Sequence, residues 1–240
     1  TLKRVIMELG GKNPVIICED ADIDAAVAHH ASRQCDNAGQ HCSGAGRIYV
    51  HRKVYDEFLN KYIVASREII VGDPADPRTF MGPLANREHR DRVEGYIKSG
   101  IEEGAKLVLG GQRPKEPPVS KGFYVMPTIL TDVTQDMKVA REEIFGPVSI
   151  IMKPFTDEEE VIALANDNRY GLCATVWTKD VAKGMRFTNR LHAGTVNVNT
   201  QVLTNDLPWG GFKESGIGKE GGEAGMLCYT QQKCVCIKYA

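Results

Sequence analysis

The sequence predicts an α/β fold: a mostly parallel sheet with flanking helices. Two observations carry that reading. Short apolar runs of strand length alternate with helix-length segments along the chain. In addition, 240 residues with 42% hydrophobic and 25% charged content suffice for one or two cored domains.

The strand candidates, in order, are Val15 to Cys18, Ile48 to Val50, Lys106 to Leu109, Val148 to Met152, Ala174 to Trp177 and Thr195 to Val198. Val5-Ile6-Met7 reads as a strand already under way at the first residues. Between the runs, Ile23 to Gln34, Tyr55 to Arg67, Arg87 to Glu103, Asp157 to Asn168 and Asp180 to Leu191 have helical length and patterning. Asp157 and Asp180 stand at N-cap positions, and Glu160, three residues after Asp157, completes a capping box. Loops rich in Gly and Pro follow at Val71 to Pro83, Gly110 to Gly122 and Pro208 to Gly222. Lys233 to Tyr239 alternates Cys234 and Cys236 with Val235 and Ile237, as an edge strand open to a partner subunit would.

Composition narrows the partners. Thirty basic against 31 acidic residues, a net charge of −1, argue against nucleic acid or an acidic membrane surface as partner. No apolar run approaches the ~18 residues of a spanning helix, and the start Thr1-Leu2-Lys3-Arg4 lacks the apolar core of a signal peptide. A soluble, cytoplasmic chain is expected. Seven cysteines with no Cys-x-x-Cys spacing favour neither a disulfide framework nor structural zinc. His29 and His30 are neighbours rather than four apart, so they do not share a helix face, and no metal is assigned.

Four constellations carry chemistry. Glu8-Leu9-Gly10-Gly11-Lys12-Asn13-Pro14 puts a carboxylate at a strand end, where ligands sit in α/β folds. Asn37-Ala38-Gly39-Gln40-His41-Cys42-Ser43 sets Cys42 in a polar loop whose N–H groups can stabilise a thiolate. Cysteines 18, 35, 173, 228 and 236 lie in apolar contexts. Glu142-Glu143-Ile144-Phe145-Gly146-Pro147 is an acidic and aromatic turn into a strand, and Pro208-Trp209-Gly210-Gly211-Phe212-Lys213-Glu214-Ser215-Gly216 is glycine-rich. Each has a bland structural reading taken alone: Glu8 as a cap, Phe145 as core, the Gly-Gly pairs as turns. The string Gly216-Ile217-Gly218-Lys219-Glu220-Gly221 has dinucleotide-fingerprint spacing, but no strand of the kind that fingerprint needs leads into it.

Together, and in this order, the four resemble the aldehyde dehydrogenase superfamily, and the 34-residue separation of Glu8 and Cys42 matches the family's spacing of base and nucleophile. The resemblance covers essentially the whole chain. It implies that Cys42 adds to an aldehyde, that hydride passes to NAD or NADP, and that Glu8 activates the water that hydrolyses the thioester. It further implies that Leu9 and Gly10 flank the nicotinamide, Glu143 holds its ribose and Phe145 packs beside the ring. Asp36 stands where many members carry an aromatic ring lining the substrate funnel, which suggests a cationic aldehyde, with a solvent-facing or capping Asp36 as the alternative. Trp209 resembles a funnel wall able to hold a cation by its ring face, and His41 lines the channel or faces solvent.

The same resemblance divides the chain into 1–11, the end of a cofactor-domain strand and linker; 12–222, the catalytic domain; and 223–240, a return segment with the oligomerisation strand. It also implies that the main cofactor domain precedes Glu8 and that the oxyanion hole is half built. A homo-oligomer through Lys233 to Tyr239, or pairing with that cofactor domain, follows as the expected association. Under this reading Cys42 reacts with iodoacetamide before the other six thiols and supports at most slow ester hydrolysis. The competing reading is a non-enzymatic module kept for its fold and edge strand.

Overall fold

A computed structural model describes residues 2–117, 119–202 and 204–240. In chain order the elements are β1 (Met7–Glu8), β2 (Asn13–Ile17), α1 (Ile23–Cys35), β3 (Ala45–Val50), α2 (Tyr55–Arg67), α3 (Arg87–Glu102), β4 (Lys106–Leu109), β5 (Thr128–Val133), α4 (Lys138–Arg141), β6 (Val148–Met152), α5 (Glu158–Asn166), β7 (Tyr170–Gly171), β8 (Cys173–Trp177), α6 (Val181–Arg190), β9 (Thr195–Val198), β10 (Phe212–Lys213), β11 (Gly216–Ile217) and α7 (Gly222–Leu227). Helix starts follow their caps: the Asp157 side chain accepts from the Glu160 N–H, and Asp180 accepts from Ala182 and Lys183.

Seven strands form one sheet in the order β4-β5-β6-β3-β2-β8-β9, and β4 alone runs against its neighbour. Strands β2, β6 and β8 are buried along their whole length, because helices cover both faces. Val15, Ile17, Ile48, Val50 and Trp177 face α1 and α2, where Phe58 stacks on Tyr62. Ile16, Tyr49, Ile150 and Val176 face the other way, toward Val93 and Ile97 of α3, Val161 of α5 and Phe187 of α6.

Several expectations need correction. Thr128–Val133 is a sheet strand that the sequence reading left unassigned; Asp132 adopts φ 58 and the register shifts between Leu130 and Val133, a bulge that hides the apolar alternation. The strand expected at Val5 to Met7 shrinks to Met7–Glu8, paired with Gly216–Ile217. Lys233 to Tyr239 is exposed throughout and pairs with no described strand, since an edge strand exists only where another edge donates to it. Cys236, expected in an apolar setting, is exposed like Cys234.

Arg47 ties the layers together. It is 1% exposed and donates to the carbonyls of Lys12, Leu164 and Ala165 and to the Tyr49 hydroxyl, at 2.8–3.0 Å. The last two carbonyls end α5, where a cation meets the negative end of the helix dipole. Arg47→Met is expected to strand the Lys12 and Ala165 carbonyls and cost about 3 kcal/mol or more. Thermal unfolding followed by circular dichroism should then show a midpoint lowered by roughly 6–12 °C.

Candidate active site

The residues singled out around Cys42 gather at the amino ends of the parallel strands. Asn13 opens β2 with Lys12 just before it, Cys42 precedes β3, Gly146 precedes β6 and Cys173 opens β8. Glu8 ends β1, as the sequence predicts, although β1 lies outside the main sheet.

Asn13 assembles the cluster. Its Nδ2 donates to the Cys42 and Gly44 carbonyls, both at 2.8 Å, while its Oδ1 accepts the Cys173 N–H at 3.0 Å. Pro14 follows with no N–H to give to the ladder, and the register slips there. The chain reaches Cys42 through a left-handed turn, Asn37 at φ 48, Ala38 at φ 55 and Gly39 at φ 70. A Cβ on Gly39 would come within 2.2 Å of the Gly146 carbonyl oxygen, so no larger residue fits.

Glu143 lies over the Gly10-Gly11 turn. Its Oε1 accepts the Gly11 N–H at 2.9 Å, and a Cβ on Gly10 would stand 2.4 Å from Oε2. Ser215, fully buried, secures the same turn: its hydroxyl donates to the Gly10 carbonyl at 2.7 Å and its carbonyl accepts the Leu9 N–H. Phe145 sits at φ 60 with its carbonyl taken by His89 Nε2.

Glu8 is the least satisfied group. Among the described residues both carboxylate oxygens are buried without a hydrogen-bond partner, although the Trp209 indole lies close enough to pull the pKa down. Burial and then the Glu220 charge hold its carboxyl above the usual range. Burial likewise raises Glu143, against the Gly11 N–H and Lys12. Lys12 is itself buried and pushed down to about 7, by burial first and then Arg47. Burial, then Glu143 and Glu8, push the Cys42 thiol up, while the N–H groups of Ser43 and Cys42 pull it back.

The structure thus brings Glu8, Glu143 and Cys42 within electrostatic reach of one another, with Leu9 and Gly10 on the shared turn. It does not leave Asp36 as a free anion. Asp36 pairs with Arg33 at 2.9 Å and with His41 Nε2 at 3.2 Å. Burial and Arg33 together lower the His41 pKa. Trp209 lines a cavity of about 420 Å³ with Val202, Leu207, Pro208 and Glu220, and Trp209 and Glu220 both act on Glu8. Two glycines of the 216–221 string pack on backbone, Gly216 against the Met7 carbonyl and Gly221 against that of Leu207, while Gly218 faces the Ile6 side chain. His30 is buried, accepts from Trp177 Nε1 and is pushed down to about 3. Among the described residues no group of three or more His, Cys, Asp or Glu side chains could hold a metal, and no helix is long and apolar enough to cross a membrane.

Sequence reasoning gave Asn13 and Ser215 no role, although both stood inside motifs, and it missed Arg33. The i, i+3 spacing of Arg33 and Asp36 at a helix end was the available signal.

Fold and site together define an α/β protein with a loop-held thiol beside two carboxylates. Residues 1–235 match the aldehyde dehydrogenase family, and the chain belongs to that family. A betaine aldehyde dehydrogenase of Brucella anthropi is 47% identical over 99% of this chain and 49% of its own length. One from Brucella melitensis is 44% identical over the same shares. Among solved structures, betaine aldehyde dehydrogenase from Staphylococcus aureus in complex with NAD+ superposes with a TM-score of 0.89 at 40% identity, over 93% of this chain and 44% of that one. Mycobacterium tuberculosis aldehyde dehydrogenase complexed with NAD+ gives 0.90 at 44% identity, over 95% and 47%. The chain spans about half the length of these relatives.

The expectation that Cys42 labels first does not follow from this geometry. Cys234 and Cys236 are exposed, whereas Cys42 is half-buried with its thiol raised; Cys18, Cys35 and Cys173 are buried and pushed up to about 12. With iodoacetamide at neutral pH, peptide mass spectrometry should find Cys234 and Cys236 modified before Cys42. Glu143→Gln removes a negative charge near the thiol while keeping an acceptor for Gly11. It should speed Cys42 labelling by about threefold or more, since one pKa unit is worth about tenfold in thiolate.

Proposed function

We propose that this chain carries the nucleophile and the general base of an NAD-dependent aldehyde dehydrogenase that releases a free carboxylic acid. The observation that carries the reading is the pairing of a loop-held Cys42 with a buried, unpartnered Glu8 carboxylate. An orphaned carboxylate is costly unless a ligand or water meets it, and a carboxylate raised by burial is a stronger base than a solvated one. Asn13 holds the Cys42 carbonyl, leaving the thiol to face the substrate. The Cys42 thiolate adds to the aldehyde carbon, and the new oxyanion is met by backbone N–H at Cys42. One such donor is worth about 2.7–4 kcal/mol. After loss of hydride the acyl group remains on Cys42 as a thioester. Glu8 then takes a proton from water as its oxygen attacks, and collapse of that adduct expels the Cys42 thiolate and leaves the carboxylic acid.

The residues present fit a nicotinamide nucleotide. Glu143 is braced by the Gly11 N–H above a Gly10 that admits no side chain, an arrangement suited to accepting from ribose hydroxyls. Leu9 and Phe145 flank that place as apolar walls. When bound, the nicotinamide supplies the hydride acceptor. NAD is preferred because the similar solved structures hold NAD+, and the larger part of its binding surface is assigned to a cofactor domain outside this chain. The 12–222 segment is the catalytic unit in this proposal. The exposed Val235, Ile237 and Tyr239 side chains favour association of copies through 233–239, and a cytoplasmic setting fits the free thiols.

The substrate proposed is a small cationic aldehyde of the quaternary ammonium class. The names of the relatives suggest it, and the Trp209 face beside Glu220 suits it. Asp36, tied by Arg33 and His41, is assigned to the loop rather than to the cation.

Ester hydrolysis by the purified chain should be lost in Cys42→Ala and fall by roughly 10²- to 10⁴-fold in Glu8→Gln. The wild-type rate should rise with pH, because both raised groups act in their deprotonated forms. Hydrolysis unaffected by Cys42→Ala overturns the proposal. In the complete protein, betaine aldehyde with NAD should yield reduced nicotinamide, followed by its absorbance, ahead of uncharged aldehydes.

A further inference from the structure

We infer that Arg33 is a positioning residue for Cys42, acting through the two residues that flank it. The inference rests on the reading of Cys42 as the nucleophile. Arg33 lies in the last turn of α1, outside every motif that carries the family resemblance. One guanidinium nitrogen donates to Asp36 Oδ2 at 2.9 Å and stands 3.4 Å from His41 Nε2, and the other donates to Ser43 Oγ at 3.2 Å. The fork therefore grips the residue before Cys42 and the residue after it at the same time. Asp36 completes the ring by approaching His41 Nε2.

The backbone of the loop is held in a complementary way. Gly44 N–H binds the His41 carbonyl, Asn13 binds those of Cys42 and Gly44, and the Gln201 amide binds that of Ser43 at 2.7 Å. Every carbonyl from His41 to Gly44 is occupied. Among the described residues the N–H groups of Cys42 and Ser43 have no oxygen acceptor, so they are the donors left to face a thiolate and later an oxyanion. Both favour the ionised thiol, against burial, Glu143 and Glu8. Arg33 fixes the side chains on either side of these two amides and so fixes where they point. The charged and titratable groups around the thiol are Glu8 from β1, Glu143 from the turn before β6, Cys173 from β8, and Arg33, Asp36 and His41 from α1 and the loop itself.

The test measures iodoacetamide labelling of Cys42 against pH, by peptide mass spectrometry on the purified chain. Arg33→Ala should move the labelling midpoint upward and slow Cys42 at neutral pH by about three- to tenfold, with Cys234 and Cys236 unchanged. Ser43→Ala, which removes one arm of the fork and leaves Arg33 on Asp36, should shift the midpoint in the same direction by less. Arg33→Lys should resemble Arg33→Ala, because an ammonium does not span both flanks as the planar fork does. An unmoved midpoint in a folded Arg33→Ala overturns the inference. So does faster labelling at every pH, the mark of a side chain that merely covers the thiol, and so does full restoration by Arg33→Lys. If Arg33→Ala does not fold, Ser43→Ala and Arg33→Lys decide by the same criteria. Labelling needs neither cofactor nor aldehyde, so failure of the dehydrogenase reading is detected separately, by Cys42→Ala hydrolysis and by turnover.

Discussion

The carboxamide of Asn13 is the contact on which the site depends. A single side chain at the start of a central strand spends both donors on the Cys42 loop and its acceptor on the first amide of β8. Three segments far apart in sequence are thereby fixed to one another within hydrogen-bond tolerance. Bonds of this kind are modest singly, about 1 kcal/mol each, but Asn13 is buried, and leaving any of the three groups unpaired would cost more. Placement of the thiol is thus coupled to integrity of the sheet. Arg47, reaching from β3 to the Lys12 carbonyl and the end of α5, extends the coupling to the helical layer.

Around that frame the charges are set in opposition. Glu8 and Glu143 are both raised, and both raise Cys42 in turn. Lys12 is held down to about 7 by burial and Arg47, against the opposite pull of Glu143 and Glu142. Orphaned oxygens on Glu8 and a half-buried thiol beside two carboxylates favour a ligand that brings positive charge or hydrogen-bond donors with it.

Much of this was legible in the chain. The strands at 148–152 and 195–198 and the helix at 55–67 fall where apolar spacing placed them, the strand 148–152 buried throughout and the helix buried along one face at Tyr55, Phe58, Tyr62 and Ser66. Glu8, Cys42 and Glu143 stood out only through the motifs around them and their order along the chain, since each taken alone has an ordinary structural reading. What escaped depends on non-local geometry. β5 is buried on both faces except at Asp132, where a bulge shifts the register, so its sequence shows no clean alternation. The amino-end location of the cluster follows from strand order, which periodicity does not encode. Asp36 was open to a channel-lining or a solvent-facing or capping reading; it stands at the C-cap of α1, and its pairing with Arg33 and His41 appears only once the chain folds back to bring Ser43 and His41 to Arg33.

None of the contacts that hold the loop from His41 to Gly44 uses the Cys42 side chain. Carbonyls and neighbouring side chains bear all of the restraint, so architecture and reactivity are separable at this position. Evolution or an engineer can exchange the sulfur for another small nucleophile, or for an inert methyl, without disturbing the scaffold that surrounds it. The left-handed turn at Asn37, Ala38 and Gly39 is the opposite case. There the shape itself is the requirement, and variation in that segment is limited to residues that tolerate it.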